Sequence, residues 1–155
     1  MEQVQHQLDR IMADLTAGAT TGLTRMSDGQ YLVAAAADPE VLVTIEAAQE
    51  PDRIVLQALI GTLSTVEAER MARAALVLSA ASAAQGGPAV GLNDDSRALF
   101  AIRALPIRLA PGDLGEAIAL FIAQSVDLKS AVAAGSILAL VQSDEAQVDE
   151  TMIRI

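Results

Sequence analysis

The sequence predicts an α+β fold in which three helices pack against a twisted antiparallel sheet, in the order α-βββ-α-ββ(β)-α, assembled as a homodimer. Three observations carry that expectation. Apolar residues recur at helical spacing in three separate segments; between those segments the pattern changes to strand-like runs broken by Pro, Gly and Asp; and the middle helix is apolar on more sides than one sheet can cover.

A chain of 155 residues is long enough for one domain with a true core, burying about 68–70% of the surface that its unfolded form exposes. The expected division is a folded domain over residues 1–135 and an acidic tail over 136–155, for which flexibility is expected.

Val4, Leu8, Ile11, Met12 and Leu15 fall at i, i+4, i+7, i+8 and i+11, with Glu2, Gln5, Gln7, Asp9 and Asp14 elsewhere around the wheel. That is an amphipathic first helix. The segment from Gly18 to Gly29 reads as loop by its composition, with a turn at Ser27-Asp28-Gly29. Three strand-like runs follow, Gln30 to Ala36, Val41 to Ala47 and Arg53 to Leu63, separated by Asp38-Pro39 and Glu50-Pro51-Asp52. Short turns make an antiparallel meander the economical arrangement. Alternation puts Val41, Val43 and Ile45 on the core face, opposite Leu42, Thr44 and Glu46. In the third run both faces carry apolar residues, Ile54, Leu56, Ala58 and Ile60 on one and Val55 and Leu59 on the other. That strand is covered twice, or it offers an apolar surface.

Ser64 and Glu67 have the spacing of a capping box and open the middle helix. No charge occurs from Ala74 to Asn93, and the helical part is mostly Ala with Leu76, Val77 and Leu78. A helix apolar nearly all round is buried, and in so short a chain the second cover comes from another subunit. Gly86-Gly87-Pro88 ends it, glycine supplying the left-handed cap and proline forbidding continuation. Pro88 to Leu92 and Arg97 to Leu109 read as strands around a hairpin turn at Asn93 to Ser96, with Pro106 interrupting the longer run. Pro111, Asp113 and Glu116 open the last helix, whose inward stripe is Leu114, Ile118, Phe121, Ser125, Leu128 and Val132, and Gly135 closes it.

Composition excludes much chemistry. There is no cysteine and one histidine, so thiolate catalysis, disulfides and an all-imidazole metal site within one chain are ruled out. His6 lies on the polar side of the first helix and reads as a solvated imidazole. Asp94 and Asp95 read as turn formers, and Asp144, Glu145, Asp149 and Glu150 as a solvated acidic tail. No phosphate loop, metalloprotease helix, nucleophile elbow or calcium loop is present, so neither an enzyme nor a cofactor is expected. A net charge of −10 opposes binding to a phosphate backbone, and 2% aromatic residues give little for base stacking. The N-terminus has no basic region before an apolar run, and Ala74 to Ala84 is well short of the roughly 20 residues that span a bilayer. An intracellular protein without membrane insertion is expected, and its 52% apolar content points to surfaces for protein partners.

From Ala74 to Val132 the chain reads AALVLSAASAAQGGPAVGLNDDSRALFAIRALPI and then DLGEAIALFIAQSVDLKSAV. An apolar helix, a Gly-Gly turn, a strand ending Gly-Leu before an Asp-rich turn, a strand leading to Leu-Pro and a helix with a Phe-x-x-x-Ser inner face follow one another. In this order the segment resembles the class I type III secretion chaperones, the Tir-chaperone family. The N-terminal half is similar in element order and in VLVTIEAA followed by IVLQALIG. Ser79 and Ser82 stand where that family often has asparagine, and Leu128 near a frequent tryptophan.

The resemblance implies a cytoplasmic homodimer that binds the extended N-terminal segment of secreted effector proteins and keeps them competent for export, with the export ATPase as a possible further partner. It implies a dimer interface along the middle helix, here Val66, Arg70, Arg73, Ala74, Val77, Leu78 and Ala81. It implies effector contacts on the first helix, through Leu8, Ile11 and Leu15, and on the sheet, through Leu42, Val55 and Leu59, with strand addition at a sheet edge. Core packing is an equally good reading of those six. A regulatory or adaptor domain of the same architecture, binding a folded partner, is the competing expectation.

Overall fold

The computed structural model describes residues 2–18, 23–26, 29–48, 53–62, 68–84, 86–93 and 97–134. The elements are α1 (Glu2–Gly18), β1 (Leu23–Arg25), β2 (Tyr31–Ala34), β3 (Leu42–Ala48), β4 (Arg53–Thr62), α2 (Ala68–Ala84), β5 (Ala89–Asn93), β6 (Ala98–Pro106) and α3 (Pro111–Ala133). The strands form one antiparallel sheet in the order β1-β2-β3-β4-β6-β5. α2 carries the chain from β4 out to the far edge, and β6 returns between β4 and β5.

Alternation along the strands decides the two faces. Val43, Ile45, Ile54, Leu56, Ala58 and Ile60 are buried on the face that α1 and α3 cover. The expected stripe of α3 lies there: Leu114, Ile118, Phe121 and Leu128 are buried, and Val132 packs against the same core. Ser125 interrupts the stripe without a polar penalty, because its hydroxyl donates to the Phe121 carbonyl at 2.8 Å. α1 contributes Leu8, Ile11 and Met12, all buried.

Two contacts fix the end of the sheet nearest the C-terminal turns of α3. A bulge displaces β4 between Leu59 and Gly61, and a Cβ at Gly61 would stand 2.7 Å from Val132 Cγ1, so only glycine admits α3 this closely. Lys129 Nζ donates to Asp38 Oδ2 at 2.8 Å and to Glu40 Oε2 at 2.9 Å, tying α3 to the turn between β2 and β3.

The meander has one more strand than expected. β1 lies inside the segment read as loop and pairs through Leu23↔Val33, Thr24↔Leu32 and Arg25↔Tyr31. Its three residues are too few to display alternation, and the hydrogen bonds to β2 make it a strand. Pro106 does not interrupt β6 but ends it, opposite Arg53, and a turn over residues 107–110 leads into α3. Pro106 can lie there because the last residue of a strand need not donate to the ladder. The expected α2 terminus is present: Gly86 has φ +70°, and Gly87 N–H returns to the Ser82 carbonyl at 2.7 Å. Ser64, Glu67, Asp94, Asp95 and the tail over 136–155 lie outside the described residues.

Candidate protein-binding surfaces

Among the described residues no helix lies on the sheet face opposite α1 and α3, and the residues of that face grade from apolar to polar. The register Ala34↔Leu42, Val43↔Ala58, Leu59↔Phe100 and Gly91↔Phe100 sets Ala34, Leu42, Leu59, Phe100 and Gly91 in a row across five strands. Leu42 and Leu59 are adjacent in that row and are each 44% exposed. Leu32, Thr44, Gln57, Ile102 and Ala89 form the next row. Farther along, Glu46 accepts from Gln30 Nε2 at 2.6 Å, and Val55 stands beside it, half-buried. The apolar end of this face adjoins the C-terminal end of α3.

α2 lies along the β5 edge. Ser79 Oγ accepts the Val90 N–H at 3.1 Å, so a helix side chain satisfies an edge-strand donor and that edge is partly closed to other strands. Ala75 is buried against the chain's own core, while Leu76 is 70% and Val77 40% exposed. Between α2 and α3 runs a groove of about 220 Å³ lined by Leu78, Ala81, Ser82, Pro88, Gln124 and Leu128 among others. Gln124 Oε1 is buried without a hydrogen-bond donor among the described residues. A buried carbonyl lacking a donor is a place where a second molecule can add one.

At the opposite edge, Asp9 of α1 gathers the start of the sheet. Its carboxylate accepts from Tyr31 Oη at 2.8 Å, Gln5 Nε2 at 3.0 Å and Arg25 at 3.0 Å, and Gln5 also donates to the Gly29 carbonyl at 2.8 Å. Burial alone would raise the Asp9 pKa, but the hydrogen bonds from Tyr31 and Gln5 and the charges of Arg25 and His6 together hold it below the ordinary value. Burial, reinforced by the Asp9 hydrogen bond and charge, pushes the Tyr31 hydroxyl up to about 12. The hydrogen bond from Lys129 draws Asp38 down, and Asp38 and Glu40 in turn raise Lys129. These groups clamp elements together; among the described residues no cluster of His, Cys, Asp or Glu could hold a metal ion.

The residues singled out in the sequence separate into three groups. Leu8 and Ile11 are core residues, closed off by the sheet and α3, and burial removes them as surface contacts. Leu42, Val55 and Leu59 share the uncovered sheet face, as alternation required. On α2, Arg73, Val77 and Ala81 are exposed, and Leu78 is partly buried against the core and borders the groove. Val66 lies outside the described residues, as do the side chains of Leu15, Arg70 and Ala74. Within the single chain one side of the helix packs on β5, and Leu76 and Val77 are exposed on another. Leu76, 70% exposed, was missed as a contact, although its place between Ala75 and Val77 already put it on another side of the helix from Ala75.

The family model for the Tir chaperone protein (CesT) family matches residues 18–129. The chain belongs to that family. The matched stretch runs from the end of α1 through most of α3, so both uncovered surfaces fall within it and nearly all of α1 falls outside. A chain of the solved HopA1-SchA chaperone-effector complex shares the fold, with a TM-score of 0.59 at 16% identity, over 81% of this chain and 91% of that one. No curated protein matches the sequence. Apart from the added β1, the order of three helices and antiparallel strands expected for a Tir-family chaperone is the order observed. Among the described residues no helix is long and apolar enough to cross a membrane.

Proposed function

We propose that this chain is a type III secretion chaperone that binds the N-terminal segment of one or more secreted effector proteins in extended form and holds them ready for export. It works by binding alone, in the cytoplasm, as a homodimer paired through α2, and it can hand its client to the export ATPase. The observation that carries the reading is the uncovered row through Leu42 and Leu59 within the part of the chain that matches the family. An extended segment laid there meets apolar side chains, and main-chain pairing at the exposed β1 edge would add affinity with little demand on sequence. Family membership and the fold shared with a chain of a chaperone-effector complex support the client class.

The test is capture of clients from the native cell by the tagged chain, followed by limited proteolysis of the complex. The expected result is a protected stretch at the client's N-terminus. Protection of a compact folded domain instead would favour an adaptor that binds folded partners, and absence of any protected segment would end the chaperone reading.

A further inference from the structure

We infer that the groove between α2 and α3 receives an arginine side chain from the client's bound segment. Three pieces of the chain build the site. Leu78, Ala81 and Ser82 of α2 and Gln124, Asp127 and Leu128 of α3 are each spaced i, i+3 and i+4, so each helix turns one face to the groove, and Gly87 and Pro88 complete the lining. A Cβ at Gly87 would collide with Ser82 Oγ, so only glycine leaves room here. Leu76 lies on the far side of α2 from Leu78 and Ser82, so the groove and that exposed residue belong to different faces of the helix.

The groove offers acceptors and is poor in donors. Gln124 Oε1 is shut off from water with no donor bonded to it among the described residues, and Asp127 is exposed at the rim. The backbone supplies nothing in return: Gly87 N–H already donates to the Ser82 carbonyl at 2.7 Å, and Pro88 has no N–H. None of the lining residues is basic. An occupant that suits this set brings several donors, a positive charge and an apolar stem. Arginine has all three: its planar guanidinium carries five N–H donors in a fork that reaches two acceptors together, and its methylenes suit Leu78, Pro88 and Leu128. Lysine brings only a point charge. A charge taken from water needs its partners in place, and here a carboxylate and a buried carbonyl stand in one groove. The net charge of −10 steers a cationic segment to the chain. The assignment to a client rests on the chaperone reading; the preference for a guanidinium does not.

The probe is a capped glycine-arginine-glycine tripeptide titrated into the full-length, isotope-labelled protein at low salt, with the citrulline and lysine tripeptides as controls. Citrulline keeps the length and shape of arginine without its charge. Saturable shifts are expected at the Gly87 and Leu128 amides and at Gln124 Nε2, with citrulline and lysine about tenfold weaker. Gln124→Met keeps the bulk and removes the carbonyl, and Asp127→Asn removes the charge; each should weaken arginine binding about tenfold while circular dichroism stays unchanged. Equal binding of citrulline or lysine, shifts confined to other surfaces, no saturation, or unchanged binding in either variant would overturn the proposal. Shifts at Gly87 and Leu128 that grow with protein concentration alone would overturn it too, giving the groove to a second copy. With a captured client, Gln124→Met should shorten the protease-protected stretch around one of its arginines; an unshortened stretch beside intact tripeptide binding by the parent would overturn the assignment to a client. Because the titration holds no client, its failure leaves the chaperone reading standing, and failure of client protection in the parent chain leaves the titration result standing.

Discussion

Tyr31 donates its hydroxyl to Asp9 Oδ1 at 2.8 Å, joining the second strand to the first helix at the edge where the sheet begins. Tyr31 is the sole tyrosine of the chain, so tyrosinate absorbance reports this one contact. Its folded pKa is raised to about 12 from 10.0, chiefly by burial and next by the Asp9 hydrogen bond. A raised pKa contributes stability that is fully present below pH 10 and is lost as pH rises toward 12. The expected titration of the folded protein has its midpoint near 12, and Asp9→Asn moves it down while burial keeps it above the ordinary value. A midpoint near 10 in a chain still folded by circular dichroism would show that the contact does not exist in solution.

Asp9 and Asp38 supply the acid-side counterpart. Both are held below their ordinary value of 3.8, so each contributes stability that is present above that pH and is lost as pH falls through the lowered folded-state value. Lys129→Met removes the largest cause for Asp38, its hydrogen bond, and should narrow the loss of thermal stability between neutral pH and pH 3. An unchanged acid limb would mean that the α3 clamp contributes nothing measurable, as many exposed ion pairs do.

Gly61 and Val132 make a close helix-to-sheet approach that the sequence does not display. Gly61→Ala places a methyl group 2.7 Å from Val132 Cγ1, and overpacking of this kind costs about 1–3 kcal/mol. Val132→Ala should relieve most of that cost, so the two changes together should be less destabilising than their sum. Additive effects in denaturant unfolding would show that α3 shifts freely on β4.

The helices and the long strands were legible because their periodicities are strong: the α3 stripe from Leu114 to Val132 and the alternation from Val41 to Ile60 each dictate one buried face. β1 was not, since Leu23-Thr24-Arg25 owes its state to a neighbour. The sheet half of the candidate site was readable from Val55 and Leu59, apolar where alternation faces them away from the core. The helix half misled, because an amphipathic stripe looks the same whether its partner is its own sheet or another protein, and Leu8 and Ile11 turned out to face their own sheet. Ser79 was visible only as a departure from a pattern; its role depends on which backbone donor the β5 edge leaves free.

That donor gives the next expectation. Ser79→Ala leaves the Val90 N–H without its acceptor at a sheet edge, a loss of about 1 kcal/mol in stability and of hydrogen-exchange protection at Val90. Ser79→Asn, whose side-chain oxygen is an acceptor too, should restore part of both. If protection at Val90 survives in Ser79→Ala, α2 is held to the edge by packing alone.

Ala81 and Leu76 test whether α2 pairs two copies. Both are exposed in the single chain, so charge at either leaves the fold intact, whereas Ala75→Glu would strike the chain's own core. Ala81→Glu or Leu76→Asp should shift a dimer toward monomer in light scattering, by at least tenfold in Kd, about 1.4 kcal/mol, since an unpaired charge would enter an apolar seam. A monomeric parent, or a dimer unaffected by both changes, would remove α2 from the assembly.

The last expectation separates core from surface among residues of the same type. Leu8 is fully buried between α1 and the sheet, so Leu8→Ala should cost about 2–5 kcal/mol and reduce client binding only as far as it reduces the folded fraction. Leu59 loses little by substitution because nearly half of it is already in water, and Leu59→Ser should stay within about 1 kcal/mol of the parent. Client protection should nevertheless fall in Leu59→Ser, and further when Leu42→Ser is added, because the two share one row and one segment would cover both. Chemical denaturation read beside protease protection checks the pair. Client binding that tracks stability in all three variants would place the client elsewhere, with the β1 edge the next surface to test.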